Sequence, residues 1–194
     1  MNGYGSFTIF QMATKKAAPS KAAANKQAAP KKSAGSKSQS KATTAKLPEK
    51  RPVIDERFAC YKLSIKSSGI HRWGLYAEEF IPKRRKVIEY RGERINRRET
   101  RKRSDEQASM IYLFTLDPYW TLDGSVGGSG AEYINHCCDP NIKTLITKGH
   151  ILYMAARDIK KGEELTVDYH FSKDVEKIPC KCGSPKCRGT INVK

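Results

Sequence analysis

Two cysteine-bearing stretches decide the fold of this chain. Residues 135–141 read NHCCDPN, and residues 180–187 read CKCGSPKC. The second stretch places Cys180, Cys182 and Cys187 in a C-x-C-x4-C run, one thiolate short of the tetrahedral set that zinc prefers. The first stretch offers the fourth thiolate, from Cys137 or Cys138. A metal shared by both stretches would hold the C-terminal segment over the loop that carries NHCCDPN.

The remaining composition favours bound metal over disulfide bonds. The chain has no run of about 18 apolar residues, so it predicts no membrane-spanning helix and no membrane partner. Its start lacks a basic region followed by an apolar stretch, which argues against a secretory signal. Six cysteines in clustered spacing, without an export signal, indicate thiolates in a reducing compartment.

Positive charge is concentrated at the N-terminus. The 194 residues carry a net charge of +17, and residues 1–50 contribute +9 of it from ten lysines and one acid. Residues 13–50 consist almost wholly of small and polar residues with lysine, so we predict a disordered basic tail over residues 1–50. Such charge density favours a polyanion such as DNA, because phosphate contacts release counterions. The alternative is a tail that only raises solubility.

From residue 51 onward the pattern is that of a mainly β (α+β) domain. Short apolar runs between glycine, proline and charged turns predict small strands. The predicted strands are residues 59–65, 73–77, 86–90, 111–116, 120–123, 142–147 and 151–157. Lys148 and Gly149 predict a hairpin turn between the last two strands. The charged stretch 95–110 is the best candidate for a helix.

Four segments now matter in their order along the chain. They are SGIHRWGLYA at 68–77, YRGE at 90–93, NHCCDPN at 135–141 and GEELTVDY at 162–169, followed by the cysteine run. Together they resemble the SET-domain protein-lysine methyltransferases that carry a post-SET zinc segment, over roughly residues 63–192. The resemblance implies a SET-type fold of small curved sheets with a knot-like C-terminus. It implies a catalytic domain at residues 51–171 and a zinc-bound post-SET segment at 172–194.

The resemblance implies methyl transfer from S-adenosyl-L-methionine to lysine. Lysine, with a reference pKa near 10.4, must be neutral to attack, so a dry and narrow channel assists the reaction. Tyr169 ends GEELTVDY and matches the family's active-site tyrosine, whose phenol can hydrogen-bond near the donor methyl group. Tyr112 resembles a second active-site tyrosine that lines the channel and touches the donor. An ordinary packed tyrosine is the alternative at each position.

Binding residues also follow from the resemblance. Gly74 allows close backbone approach to a ligand, and Lys181 lies between two cysteines where its backbone can reach the cofactor. The predicted cofactor-binding residues are His71, Arg72, Trp73, Gly74, Tyr112, Asn135, His136 and Lys181. The predicted Zn²⁺ ligands are Cys138, Cys180, Cys182 and Cys187. Cys138 is chosen over Cys137 by its place in the motif, and Cys60 is interpreted as a buried thiol.

Two positions depart from the family pattern. Val167 stands where tyrosine or phenylalanine is frequent, two residues before Tyr169. Because valine is small and donates no hydrogen bond, we predict that di- or trimethylation is allowed. Glu132 replaces a basic residue just before NHCCDPN. The acidic neighbours Glu163 and Glu164 are not a hydrolase pair, because adjacent strand residues point to opposite faces.

These observations predict a methyltransferase acting on lysines of basic proteins, histone or histone-like, and on the chain's own tail. The alternative is a non-catalytic chromatin or DNA-binding zinc module, against which the presence of both Tyr112 and Tyr169 argues. The basic tail predicts non-specific DNA contact. The predicted location is the nucleus and chromosome in a eukaryote, or the cytoplasm and nucleoid in a bacterium.

Overall fold

A computed structural model describes residues 52–106 and 112–193, without the side chains of residues 105 and 106. The predicted basic tail lies outside the described residues. The strands are β1 (Leu63–Ser67), β2 (Trp73–Ala77), β3 (Lys86–Tyr90), β4 (Glu93–Asn96), β5 (Leu113–Thr115), β6 (Trp120–Asp123), β7 (Asn135–His136), β8 (Ile142–Thr147), β9 (His150–Ala155) and β10 (Thr166–Val167). Helix α1 spans Arg97–Glu106, and 3-10 turns span Glu56–Phe58 and Ala131–Tyr133. No helix in this part of the chain is both long and apolar enough to cross a membrane.

Four small sheets make up the described fold. β1 pairs with β2, β9 lies between β3 and β8, and β6 lies between β4 and β5, all antiparallel. β7 and β10 form a parallel pair. Lys148 and Gly149 both have positive φ, 46° and 79°, as a two-residue hairpin between β8 and β9 requires. This confirms the predicted mainly β fold and hairpin; the knot-like C-terminus stays a prediction.

The described sheets pack around a shared apolar core. Leu75, Ile88, Ile142, Ile151 and Leu165 are all 0% exposed, and they come from β2, β3, β8, β9 and the segment before β10. Each such side chain contributes roughly 1.5–3 kcal/mol when it is buried. The core therefore fixes β10, and with it the chain that follows toward Tyr169.

Several local predictions were wrong, among them the bounds of strands 111–116 and 151–157, which the structure gives as Leu113–Thr115 and His150–Ala155. The first strand begins at Leu63 because Glu56–Phe58 form a 3-10 turn, and Ala59 makes only an isolated bridge to Ile88. The helix begins at Arg97 because Ile95 and Asn96 belong to β4; the Asn96 carboxamide then accepts from the Glu99 N–H as a cap. Residues 107–110 of the predicted helix and residue 111 of a predicted strand lie outside the described residues. Cys60 is exposed, not buried.

Candidate functional site

The parallel β7–β10 pair joins two distant motifs. Asn135 lies opposite Thr166, and His136 lies opposite Val167. Asn141 locks this pairing, because its Nδ2 donates to the Glu164 carbonyl at 2.8 Å. Its Oδ1 also accepts from the Thr166 N–H at 2.8 Å. NHCCDPN and GEELTVDY therefore form one unit, although residues 142–161 separate them.

The Glu164 carboxylate organises the loop at the start of the site. Its Oε1 accepts from Ser68 Oγ and from Asn135 Nδ2, each at 2.8 Å, and its Oε2 accepts from the Tyr76 hydroxyl at 3.0 Å. A Cβ on Gly74 would collide with Oε1, so any larger residue there would displace the Glu164 carboxylate from these hydrogen bonds. We call Ser68, Tyr76, Asn135 and Glu164 the Glu164 cluster. The cluster fixes the predicted cofactor loop, residues 71–74, to the β7–β10 pair.

Asn135 shapes the predicted cofactor loop from inside the protein. Besides Glu164, its Nδ2 donates to the carbonyl of Trp73 at 2.9 Å and to that of His71 at 3.4 Å. The side chains of His71 and Arg72 are exposed, and that of Trp73 is half-buried. Imidazole, guanidinium and indole groups on one loop fit a nucleoside that carries a carboxylate, as S-adenosyl-L-methionine does.

His136 is a buried neutral imidazole. Its Nδ1 accepts from the Tyr169 N–H at 3.2 Å, so the ring proton lies on Nε2, which is 3.4 Å from Cys138 Sγ. Burial lowers the pKa of His136 to about 4, although Asp168 acts in the opposite direction. The ring therefore links a thiol to the backbone of Tyr169. Both predicted cofactor-binding side chains of β7 are thus engaged within the protein.

Tyr169 lies at the meeting point of the two motifs. Its hydroxyl donates to the Ile134 carbonyl at 2.9 Å, and its ring packs between His136 and Phe171 at centroid distances of 5.4 and 5.8 Å. Burial raises the pKa of Tyr169, and the nearby Tyr112 raises it further. Tyr169 is therefore a neutral phenol at physiological pH, a hydrogen-bond donor and not a base.

Tyr112 directly precedes β5. Its carbonyl accepts from the Tyr90 hydroxyl at 2.5 Å and from the Gly124 N–H at 2.8 Å, which fixes its backbone. Its half-buried ring packs edge-on against Tyr133 at a centroid distance of 5.8 Å. Burial raises the pKa of Tyr112 as well. The two predicted catalytic tyrosines thus lie close together as neutral phenols.

Four thiols meet beside this site. The Sγ atoms of Cys138, Cys180, Cys182 and Cys187 all lie within 4.8 Å of one another. Cys138 Sγ is 3.7 Å from that of Cys180 and 4.0 Å from that of Cys187. Thiolates about 2.3 Å from a tetrahedral zinc ion stand about 3.8 Å apart, so this thiol cluster fits Zn²⁺. The structure brings the four predicted ligands together, and their ligation of zinc stays a prediction.

Cys137 has a different environment. Its buried Sγ accepts from the Asp139 N–H at 3.4 Å and lies 3.5 Å from the Asp139 carbonyl. Its thiol also neighbours that of Cys182. The structure thus places Cys138, and not Cys137, in the mutually close set. Lys181 exposes its side chain between two members of the thiol cluster.

An ion pair adds to the hold on the C-terminal segment. Arg188 contacts both oxygens of the Asp168 carboxylate, at 2.5 and 2.9 Å, and also donates to the Ile191 carbonyl at 3.0 Å. Burial raises the pKa of Asp168, but the hydrogen bonds from Arg188 and from the His170 N–H, together with the charges of these two residues, leave the pKa below its usual value. Asn192 is buried and donates to the Ser172 carbonyl at 2.8 Å.

Sequence reasoning missed three positioning residues: Glu164, Asn141 and Arg188. Glu164 and Asn141 stand inside motifs whose residue types were noticed, but their contacts require the parallel β7–β10 pair. Arg188 follows the last cysteine directly. Its place in the predicted zinc-binding segment was the only signal in the sequence that Arg188 could help to position this segment.

Comparison with known proteins agrees with this geometry. A family model described as SET domain matches residues 72–170. Histone-lysine N-methyltransferase set1 of Dictyostelium discoideum is 42% identical over 139 residues, covering 68% of this chain and 9% of that protein. A histone-lysine N-methyltransferase, H3 lysine-4 specific, of Saccharomyces cerevisiae is 43% identical over 137 residues, covering 64% of this chain and 13% of that protein. Histone-lysine N-methyltransferase trithorax of Drosophila melanogaster is 38% identical over 161 residues, 78% of this chain and 4% of that protein.

A solved structure shares the architecture. The crystal structure of KRYPTONITE in complex with mCHG DNA and SAH superposes with a TM-score of 0.57 at 27% identity, over 69% of this chain and 29% of that one. The chain thus spans only a small part of these relatives, and the match falls on the sheets and motifs described above. The family model, the β7–β10 junction and the adjacent thiol cluster lead to one conclusion: this chain belongs to the SET-domain family.

Proposed function

We propose that the chain is an S-adenosyl-L-methionine-dependent protein-lysine N-methyltransferase acting on basic proteins, histone or histone-like. One observation carries the proposal: the Tyr169 phenol is held neutral beside Tyr112 and His136, where NHCCDPN meets GEELTVDY. Relatives named histone-lysine N-methyltransferases, and a structural neighbour solved in complex with SAH, support an enzyme over a non-catalytic module.

The residues would act mainly by positioning. When bound, S-adenosyl-L-methionine supplies a sulfonium methyl group: the lone pair of the lysine nitrogen forms the new N–C bond, and the C–S electrons stay on sulfur. Because Tyr169 and Tyr112 are neutral phenols with raised pKa values, neither accepts the lysine proton. That proton must leave to water, and burial between the two rings favours the neutral amine. The Tyr169 hydroxyl, fixed on the Ile134 carbonyl, then orients the nitrogen.

The remaining predicted residues would hold the ligands. The loop of His71, Arg72, Trp73 and Gly74 would bind the cofactor, with backbone atoms of Asn135, His136 and Lys181. The thiol cluster would bind one zinc ion and so keep residues 172–194 beside the cofactor loop. In this proposal residues 51–171 are the catalytic domain.

The product is set in part by Val167. This side chain is 2% exposed and sits two residues before Tyr169. It offers no hydroxyl to hold a water molecule beside the amine, so we expect di- and trimethyl-lysine. Mass spectrometry after exhaustive reaction tests this, and exclusively monomethyl product would contradict it. Val167→Tyr should shift the product toward monomethyl-lysine.

The decisive experiment is a methylation assay on core histones and on a lysine peptide array. Tyr169→Phe removes the fixed hydroxyl that orients the amine nitrogen and should lower the rate about 100-fold or more. Tyr119→Phe is the control, because Tyr119 is 74% exposed and belongs to a different surface. Cofactor binding by calorimetry should persist in both variants. A wild-type chain that neither binds cofactor nor transfers methyl groups would favour the non-catalytic module.

Two partners follow from the tail in this proposal. Lysines on the same chain as the site have a high effective concentration, so labelled donor without added substrate should label residues 1–50. The same ten lysines should bind DNA non-specifically. Histone-directed relatives support a nuclear, chromosomal location if the chain is eukaryotic; a bacterial source would place it in the cytoplasm and nucleoid.

A further inference from the structure

The outward face of α1 carries cations without ionic partners among the described side chains. Arg98, Arg101 and Lys102 recur at i, i+3 and i+4, which places them on one side of the helix. All three are exposed. In the sequence, Asp105 follows Arg101 and Glu106 follows Lys102 by four residues each, and the three cations still exceed these two acids by one charge.

Three acids near α1 form ion pairs on the opposite face of the helix. Arg103 pairs with Glu93 at 2.7 Å, with Glu99 at 3.0 Å and with Asp123 at 2.6 Å. Asp123 is 0% exposed, so this cluster belongs to the packed side of the helix. These described acids therefore neutralise Arg103 on the packed side of α1, and not the exposed cations on its outward face.

Aromatic groups extend the basic face onto the neighbouring sheet. The exposed Arg94 guanidinium lies 4.4 Å from the centroid of the Trp120 ring, and Tyr119 beside it is 74% exposed. Arg97 fixes the adjacent turn, because it donates to the carbonyls of Asp117 and Pro118 at 2.8 Å each. The cations and the exposed tyrosine therefore belong to one ordered surface.

We propose that this surface, the α1 basic face (Arg94, Arg98, Arg101, Lys102 and Tyr119), docks on the phosphate backbone of double-stranded DNA. Guanidinium forks match phosphate oxygens in geometry, and duplex DNA presents one charge per about 1.7 Å of its axis. A lysine-rich substrate tail would be repelled here, so this is not the substrate groove. Phosphate contacts carry no sequence information, and the docking is therefore sequence-independent. The inference does not depend on methyl transfer.

The test compares two triple variants of the full chain. One is Arg98→Gln, Arg101→Gln and Lys102→Gln; the other is Lys83→Gln, Arg84→Gln and Arg85→Gln, which removes the same charge from an exposed turn elsewhere. Binding of a short labelled DNA duplex is measured over a range of salt concentrations. The α1 variant should reduce the slope of log K against log salt by about 2–3 and weaken binding at least tenfold at low salt. The turn variant should change the slope by less than 1.

The basic tail contributes equally to all three proteins, so the difference isolates the helix. Glutamine is a good helix former, and circular dichroism should confirm an unchanged fold. Equal weakening by both triples would mean that only net charge matters, and it would overturn the proposal. So would an unchanged slope in the α1 variant, which would assign DNA binding to the tail. A larger loss of polyglutamate binding than of DNA binding in the α1 variant would identify the face as a site for acidic proteins, and it would also overturn the proposal.

Discussion

The Glu164 cluster and the thiol cluster tie distant segments to the same β7–β10 pair by different physics. The Glu164 carboxylate receives hydrogen bonds from Ser68, Asn135 and Tyr76, which hold the cofactor loop with groups of the chain alone. The four thiols would be joined by a shared metal ion. We therefore predict that the polypeptide alone orders the predicted cofactor loop, whereas the full order of the C-terminal segment also requires the metal.

The largest expected effect comes from the cysteine doublet. Cys138→Ser should lose the zinc ion, because three thiolates remain, whereas Cys137→Ser should keep one zinc per chain. Without zinc, amide exchange should accelerate across residues 172–193 and stay slow in β8 and β9. Elemental analysis and hydrogen exchange measure both outcomes. Retained zinc in Cys138→Ser together with zinc loss in Cys137→Ser would reverse the ligand choice.

Adjacent glutamates test the other side of the comparison. Glu164→Gln replaces one acceptor oxygen by an NH₂ group, which would face the hydroxyl and amide donors of the Glu164 cluster. The substitution should lower the free energy of unfolding by about 2–4 kcal/mol. Glu163→Gln should cost less than about 1 kcal/mol, because Glu163 pairs with Arg157, whose side chain is 54% exposed.

Urea unfolding compares these two variants, and hydrogen exchange should show loosening of residues 68–74 only in Glu164→Gln. Equal costs for the two substitutions would mean that the Glu164 cluster does not hold the loop. Zinc content should stay at the wild-type value in both, which separates this region from the thiol cluster.

The ion pairs of the C-terminal segment show how much of its order is independent of metal. Arg188→Gln should cost about 2 kcal/mol, since Asp168 would keep a half-buried charge without its bidentate partner. Lys186→Gln should change stability by less than about 0.5 kcal/mol, because the side chains of Lys186 and Asp139 are 75% and 52% exposed.

The same pair predicts a direction with pH. The pKa of Asp168 is lower in the folded state than its usual value of 3.8, so its contribution is present above that pH. It is lost as the pH falls through the folded-state pKa. Denaturant titrations of wild type and Arg188→Gln should therefore converge in acid, and a constant difference at every pH would contradict the assignment.

Local pattern predicted much of the fold. The predicted bounds of β2, β3, β6 and β8 match the structure, because each strand alternates or concentrates apolar residues between glycine, proline and charged turns. The spacing of the cysteines anticipated three of the four thiols that lie together, and the resemblance to the family motif selected Cys138 as the fourth. The roles of the individual site residues stay predictions, although the structure brings Tyr112, Tyr169 and the cofactor loop to one place.

The rest of the fold had no local signal. β7 and β10 contain two residues each, too few for a periodic pattern, and they pair across about thirty residues. β4 reads ERIN with only Ile95 buried, so it resembles the helix that follows it. Glu164 could be recognised as an acid but not as the acceptor of three side-chain donors, because those donors come from distant segments of the chain.

Glu132 provides the last and smallest test, as a half-buried carboxylate with poorer compensation than Glu164. Among the described residues its carboxylate accepts hydrogen bonds from backbone N–H groups, that of Gly130 at 2.8 Å and its own, and from no other side chain. Burial raises the pKa of Glu132 from 4.5 to about 7. A raised folded-state pKa stabilises the fold fully below about pH 4.5, and this contribution is lost as the pH rises through 7.

Glu132→Gln mimics the protonated carboxyl group at every pH. The variant should match wild type near pH 4.5 and exceed it by about 1–2 kcal/mol near pH 8, measured by urea unfolding at both values. Glu176→Gln, at an exposed position, should follow wild type throughout. Because all other titrating groups are common to the three proteins, their effects cancel in the differences. A Glu132→Gln variant that is less stable than wild type at pH 8 would show that the ionised carboxylate is compensated as well as that of Glu164, and the contrast between the two carboxylates would fail.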